Sequence, residues 1–334
     1  MKRKQILFTA PAKAEFLETE VPAMGPKSVL AKMEYTVVSG GTERANLMGM
    51  PNVPQAYPKA LGYCGVGYVV EIGAEVTSVK KGDRVLVYHG NHANYNVREE
   101  NEITKVENDD IDSLDAAFVI IASMGLGGVR KLELELGESA MVIGLGLLGM
   151  FSIQFLRASG ANPLIAVDLN EERRKLALQL GADYAFDPTA PDFVEQVKKV
   201  TKGKGVKATV EVTGSAIALN EALDCAAWQG RISLLGCTRV TDNKIDYYSQ
   251  VHRPGIKLIG AHNFVRPKFE SYPHHWTHHD DCRAILDMIA TNRINVPAMR
   301  SRVVLPTECP QIFDQLANDP HFPMGTVFDW RNVE

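Results

Sequence analysis

The residues best suited to chemistry form a glycine fingerprint. Gly144-Leu145-Gly146-Leu147-Leu148-Gly149 follows the apolar run SAMVI and opens the segment MFSIQFLRASG. Glycines collect in any turn, so the spacing alone says little. Here a strand pattern precedes it and a helix pattern follows. An acid, Asp168, stands nineteen positions on (149 to 168), at the end of the next strand pattern, PLIAVD. In such a fingerprint Gly144 permits the tight turn, Gly146 lets backbone approach a pyrophosphate, and Gly149 lets helix and strand pack closely. The helix start, with Leu147 and Leu148 in its first turn, offers free N–H donors and a positive dipole end to phosphate. Asp168 would accept from both hydroxyls of an adenosine ribose and would repel a 2′-phosphate. The expected cofactor is therefore NAD rather than NADP. Arg173 is near enough in sequence to reach that ribose and would tolerate a phosphate.

The elements that must position this loop follow from the pattern on either side of it. The first hundred or so residues read as short strands cut by turns, such as SVLAKMEYTVVS, GVGYVVEIG and GDRVLVYHG. From about Glu138 strands alternate with helices: MVIGLG, PLIAVD, ADYAFD, KATVEVTG, RISLLG and IKLIGAH, with EERRKLALQLGA as one of the helices between. That rhythm predicts βαβ units and a parallel sheet covered on both faces. After about residue 265 it lapses. The expected fold is α/β, a Rossmann doubly wound sheet over 116–264 inserted into a β-rich domain made from 1–115 and 265–334.

A chain of 334 residues is long enough for two such domains. Its hydrophobic share of 45% and charged share of 23% are ordinary for a globular enzyme. A net charge of -4, with basic residues scattered among acids, gives no footprint for nucleic acid. No apolar run reaches the roughly 20 residues that span a bilayer, and the opening MKRKQILFTAPAKAEF reads as a strand rather than a signal peptide. Five well-separated cysteines read as reduced thiols, so the expected location is the cytoplasm.

With the fingerprint mid-chain, the sequence resembles the medium-chain dehydrogenase/reductase superfamily of zinc alcohol, threonine and polyol dehydrogenases. The resemblance rests on LGYCGVGYVVEIGAEVTSVKKGDRV, VIGLGLLG, VDLNEERRKLALQLGADYAFDP, GKGVKATVEVTGS and GRISLLG. It implies a GroES-like catalytic domain around the Rossmann domain, a small-molecule substrate, and homodimers or homotetramers. It also implies that Arg173 and Thr213 line the adenosine and nicotinamide ends of the cofactor site. Gly236, which ends GRISLLG, joins the cofactor-binding positions.

The departures from that family are equally informative. Where zinc members carry Cys-Gly-(Ser/Thr)-Asp, this chain has Gly40-Gly41-Thr42-Glu43, and where they carry Gly-His-Glu it has Gly62-Tyr63-Cys64. The third ligand position falls near Ile120, and the four-cysteine structural lobe is absent. Catalytic zinc needs about three converging nitrogen, sulfur or carboxylate ligands, so no metal is expected. The SGGTE turn is similar to that of a branch acting on sugar-like secondary alcohols, including glycosides. Without a metal, a side chain must handle the hydroxyl proton of the substrate. The candidates are Thr42, Glu43, Tyr63, His89 and His92, with their roles left open.

The tract His274-His275-Trp276-Thr277-His278-His279-Asp280 could suggest a metal site through histidines at i and i+4. Thr277-x-x-Asp280 reads instead as an N-cap box opening the next helix, which leaves a substrate-contacting or interface loop. The function expected is zinc-independent, NAD(H)-dependent interconversion of a secondary alcohol and a ketone, on a polyol, sugar or glycoside. The alternatives are an NAD(P)H-dependent enone or quinone reductase and a catalytically silent NAD-binding sensor.

Overall fold

The runs Ala140–Ile143 (AMVI) and Leu164–Val167 (LIAV) have every residue buried, which a strand achieves only in a sheet covered on both faces. In the computed structural model, which describes residues 1–239, 244–273 and 275–334, they lie in a six-stranded parallel sheet. Its spatial order is Tyr184–Phe186, Leu164–Val167, Ala140–Ile143, Val206–Glu211, Ala226–Leu234, Lys257–Gly260. In chain order that is 3-2-1-4-5-6, the doubly wound arrangement. The winding reverses between Ala140–Ile143 and Val206–Glu211, so a crevice opens at the carboxyl ends of those two strands. The glycine fingerprint leaves the first of them. The helix Leu147–Ala158 is then buried all round from Gly149 to Leu156. Met141, Ile143, Ile165, Val167 and Ile232 form the core of this unit with Phe193 and Val197.

The other unit is β-rich. Ser28–Val37 pairs antiparallel with Gly65–Ile72, Tyr95–Glu99 and Thr326–Asp329, while Arg84–Val87 and Ile103–Lys105 extend the sheet. A separate small sheet holds Lys2–Ala10, Lys13–Glu20 and Lys59–Ala60. Phe8, Phe313, Phe328 and Trp330 fill the core between. Phe8 and Phe313 meet edge-on at 4.8 Å.

The compact units are Met1–Ile121 with Cys282–Glu334, and Ala122–Asp281. The expected limits at 115/116 and 264/265 both fall earlier than these. The second difference has a clear cause. After the last parallel strand the chain stays on the dinucleotide-binding unit, where Arg266 pairs with Asp281 at 3.3 Å and Trp276 lies against Arg130. No helix among the described residues is long and apolar enough to cross a membrane, and all five cysteines are free thiols.

Candidate active site

The fingerprint loop has the shape its sequence demands. Gly144 sits at φ +93°, a region that favours glycine. A Cβ on Gly149 would strike the Gly144 carbonyl oxygen, whereas one on Gly146 would meet nothing within 4 Å. The helix Leu147–Ala158 has no side-chain cap, and its first backbone bond is Met150 N–H to Gly146 O at 2.9 Å. The amides of Leu147, Leu148 and Gly149 therefore have no acceptor among the described residues. Open space at Gly146 beside three free donors fits a diphosphate.

Asp168 ties this loop to the next strand. Its carboxylate accepts Leu145 N–H at 2.7 Å and Asn170 N–H at 2.8 Å, which fixes its orientation and leaves lone pairs for ribose hydroxyls. Arg174 clamps the same turn, donating to the Asp168 carbonyl at 2.6 Å and pairing with Asp187 at 3.2 Å. The side chain of its neighbour Arg173 makes no hydrogen bond or ion pair among the described residues.

At the other side of the crevice, Glu211 organises the loop bearing Thr213. Its Oε1 accepts from the Thr213 amide at 2.7 Å, the Thr213 hydroxyl and the Gly214 amide at 3.0 Å. Burial pushes the Glu211 carboxyl up, and those hydrogen bonds oppose the shift. A Cβ on Gly214 would come 2.6 Å from the Cys237 carbonyl, and one on Gly236 would strike Gly214 in turn. Both glycines let the two loops touch, which is where Gly236 contributes. Glu211 escaped the sequence reading, although an acid inside the apolar strand KATVEV was a signal.

In the β-rich unit the first turn of the helix Gly40–Leu47 gathers four of the five proton-handling candidates. The Tyr63 phenol is hydrogen-bonded by the Ser39 and Thr42 hydroxyls, and burial pushes its pKa well up. It is therefore a protonated phenol, a donor rather than a phenolate base. Glu43 Oε1 accepts the Ser39 amide at 2.9 Å, and Glu43 Oε2 lies 3.0 Å from His92 Nε2. His92 Nδ1 is 2.6 Å from the Thr36 hydroxyl, which also accepts Trp330 Nε1–H at 2.8 Å. The tautomer assigned by this network has Nε2–H donating to Glu43 and Nδ1 accepting from Thr36. His92 is 1% exposed and Glu43 fully buried, so both lie beneath the hydroxyl cluster. His89 stands apart from it, paired with Glu102 at 2.9 Å and stacked on Tyr88.

In the histidine tract, His274 lies outside the described residues. His275 Nδ1 meets the Pro273 carbonyl at 3.2 Å, before the helix His278–Ala290 begins. The Thr277 hydroxyl accepts the Asp280 amide at 3.2 Å and donates to the Asp280 carboxylate at 2.8 Å. His275 and His279 thus do not share a helix face.

Two family models match the chain: an alcohol dehydrogenase GroES-like domain over residues 25–131 and a zinc-binding dehydrogenase over 148–274. The L-threonine 3-dehydrogenase of Thermococcus kodakarensis is 31% identical over 269 residues, covering 70% of this chain and 75% of that one. The chain belongs to the medium-chain dehydrogenase/reductase superfamily. The D-guloside 3-dehydrogenase of Escherichia coli is 24% identical, covering 97% of this chain and 100% of its own. A zinc-binding-dehydrogenase-type structure from Sinorhizobium meliloti, solved with NADP, superposes with a TM-score of 0.82 at 22% identity. It covers 98% of this chain and 99% of its own. As a medium-chain dehydrogenase/reductase of the alcohol dehydrogenase type, the chain is a pyridine-nucleotide oxidoreductase.

Zinc, which many members of this superfamily carry, does not fit the residues present. Gly40 and Ile120 have no ligating atom, and Tyr63 is a half-buried, protonated phenol engaged by Ser39 and Thr42. The Cys64 thiol is fully buried, with its pKa pushed well up by burial. Glu43 is committed to Ser39 and His92. Among the described residues no group of three or more His, Cys, Asp or Glu side chains could hold a metal ion.

Proposed function

We propose that the chain interconverts a secondary alcohol and a ketone with NAD(H), without zinc, on a polyol, sugar or glycoside. The observation that carries this reading is the Tyr63 phenol, held by Ser39 and Thr42 where zinc members have a metal ligand. Bound NAD(H) supplies or takes the hydride. In the reducing direction the carbonyl oxygen gains negative charge as hydride arrives, and a protonated phenol within about 3 Å gives it a proton. In oxidation the phenol takes the alcohol's proton as it passes its own to the Ser39 and Thr42 hydroxyls, and the reverse relay reprotonates it after reduction. Glu43 and His92 hold this group in place from below, and His89 has no part in it. Gly144, Gly146, Leu147, Leu148 and Gly149 bind the diphosphate and Asp168 the ribose, with Arg173, Thr213 and Gly236 completing the pocket.

The preference for NAD rests on the Asp168 carboxylate, which a 2′-phosphate would face at close range. The full-length likeness to a guloside dehydrogenase supports a glycoside-like substrate. The proposed assembly is a homodimer or homotetramer working in the cytoplasm, a setting that suits five free thiols. The test is NADH formation from NAD with a panel of polyols, sugars, glycosides and simple alcohols, with and without a strong chelator. Chelator-insensitive turnover of a polyhydroxy substrate is the expected result. Turnover abolished by the chelator would overturn the zinc-free reading.

A further inference from the structure

The dinucleotide-binding unit has a pocket that neither the glycine fingerprint nor the proposed chemistry uses. It is a shallow, open hollow at the outer edge of the parallel sheet, beginning where Lys257–Gly260 ends. Arg130, Lys131, His262, Arg266, Trp276 and Asp281 are among the residues lining it, and no residue of the fingerprint loop is.

Two guanidinium groups there share one carboxylate. Arg130 Nε donates to Asp281 Oδ1 at 2.7 Å, and Arg266 Nη1 lies 3.3 Å from Oδ2, with Asp281 only 1% exposed. Arg266 also donates to the Ser123 carbonyl. Burial raises the Asp281 carboxyl while both arginines hold it down. Lys131 adds a third cation, and its ammonium has no ion pair among the described residues. The pocket therefore has more positive charge than its single acid offsets.

The hydrogen-bonding groups are just as one-sided. The Arg130 guanidinium carbon sits 3.9 Å from the centre of the Trp276 ring, which fixes the plane of the fork. Beyond the Nε bond to Asp281, its terminal nitrogens have no acceptor among the described residues. His262 Nδ1 accepts the Phe264 amide at 3.2 Å, so the ring proton must sit on Nε2, another donor without an acceptor. The one acidic side chain in the lining is already engaged. Surplus donors on a planar cation beside an aromatic wall match a carboxylate or phosphate group.

We propose that this pocket binds a small oxyanion, the carboxylate or phosphate group of a ligand, through Arg130, Lys131 and His262 against Trp276. The test is a titration of the full-length protein with inorganic phosphate, followed by tryptophan emission, with NAD saturating so that the fingerprint loop is filled. A saturable response is expected, with the dissociation constant raised at least about tenfold, the loss of one charge-assisted bond, in R130Q and in K131Q. R130Q disturbs the buried Asp281 and can fail to fold. K131Q breaks no pair and keeps the test decisive. No saturable response in the natural protein, or K131Q binding phosphate as the natural protein does, overturns the proposal. A response that NAD abolishes also overturns it, because phosphate would then be using the dinucleotide site. Competition between phosphate and the oxidised substrate, lost in K131Q, would identify the anion as an acid group on the substrate. Phosphate that binds without raising KM would identify a separate small anion.

Discussion

Glu43 Oε2 lies 3.0 Å from His92 Nε2, and neither side chain is more than 1% exposed. Each residue taken alone reads as a proton acceptor, but together they satisfy one another. The carboxylate spends its other oxygen on the Ser39 amide, and the imidazole spends its other nitrogen on Thr36. The pair is thus a support under the hydroxyl cluster. Removing His92 takes the Nε2–H donor from Glu43 Oε2 and leaves that buried carboxylate oxygen unsatisfied, which costs about 1–3 kcal/mol. H92A should lower the denaturant midpoint by a corresponding amount. If H92A keeps its stability and loses turnover, His92 moves protons and the supporting role is wrong.

Tyr63 gives the sharper kinetic prediction. Replacing it by phenylalanine keeps the ring and removes the proton donor, so kcat should fall by about 10²-fold or more with NAD binding unchanged. Burial raises the phenol's folded pKa above its unfolded value, which makes the folded state favour the neutral form. The stability tied to that neutral form is intact below about pH 10, the ordinary tyrosine value, and is lost as pH rises beyond it. Y63F should remove this part of the alkaline destabilisation in denaturation curves taken from pH 8 to 11. An unchanged kcat would refute the proposed role of the phenol.

What the sequence made legible was local. The fingerprint is a contiguous hexapeptide between a strand and a helix, so Gly144, Gly149 and Asp168 could be placed from spacing alone. Ser39 could not, because a serine in SGGTE has no signal of its own. Its partner Tyr63 lies 24 residues away and meets it only through sheet pairing. Thr36 and Trp330 are 294 residues apart and come together because Thr326–Asp329 adds to the Ser28–Val37 strand. The expected limit at 264/265 differs from the compact-unit boundary at 281/282 for a related reason. An irregular aromatic segment carries no periodicity, and side-chain contacts such as Arg130–Trp276, Arg130–Asp281 and Arg266–Ser123 hold it on the second unit.

The fingerprint glycines should separate into two classes. A methyl at Gly149 meets the Gly144 carbonyl oxygen, so G149A must open the strand–helix junction and lower stability. A methyl at Gly146 meets nothing within 4 Å in the protein itself, yet it would project where the diphosphate approaches. G146A is expected to melt like the natural protein and to bind NAD at least about tenfold more weakly, about 1.4 kcal/mol. Thermal melts and a NADH titration by fluorescence check both. Equal NAD affinity in G146A would show that the diphosphate lies elsewhere.

Cofactor choice turns on Asp168 and the unengaged Arg173. The carboxylate is held by the Leu145 and Asn170 amides, so it cannot swing away from a 2′-phosphate without breaking both bonds. D168S removes the repelling charge while leaving a hydroxyl able to accept one of those amides. It leaves Arg173 free to meet a phosphate. Losing hydrogen bonds from a charged acceptor costs about 1.5–3 kcal/mol, so kcat/KM with NAD should fall by roughly one to two orders of magnitude. With NADP it should rise, and adding R173A should take that gain away. Steady-state kinetics with both cofactors on the natural protein and the two variants decide the matter. If the natural protein prefers NADP, or if D168S leaves the ratio unchanged, Asp168 does not read the ribose and its only work is to hold the glycine loop.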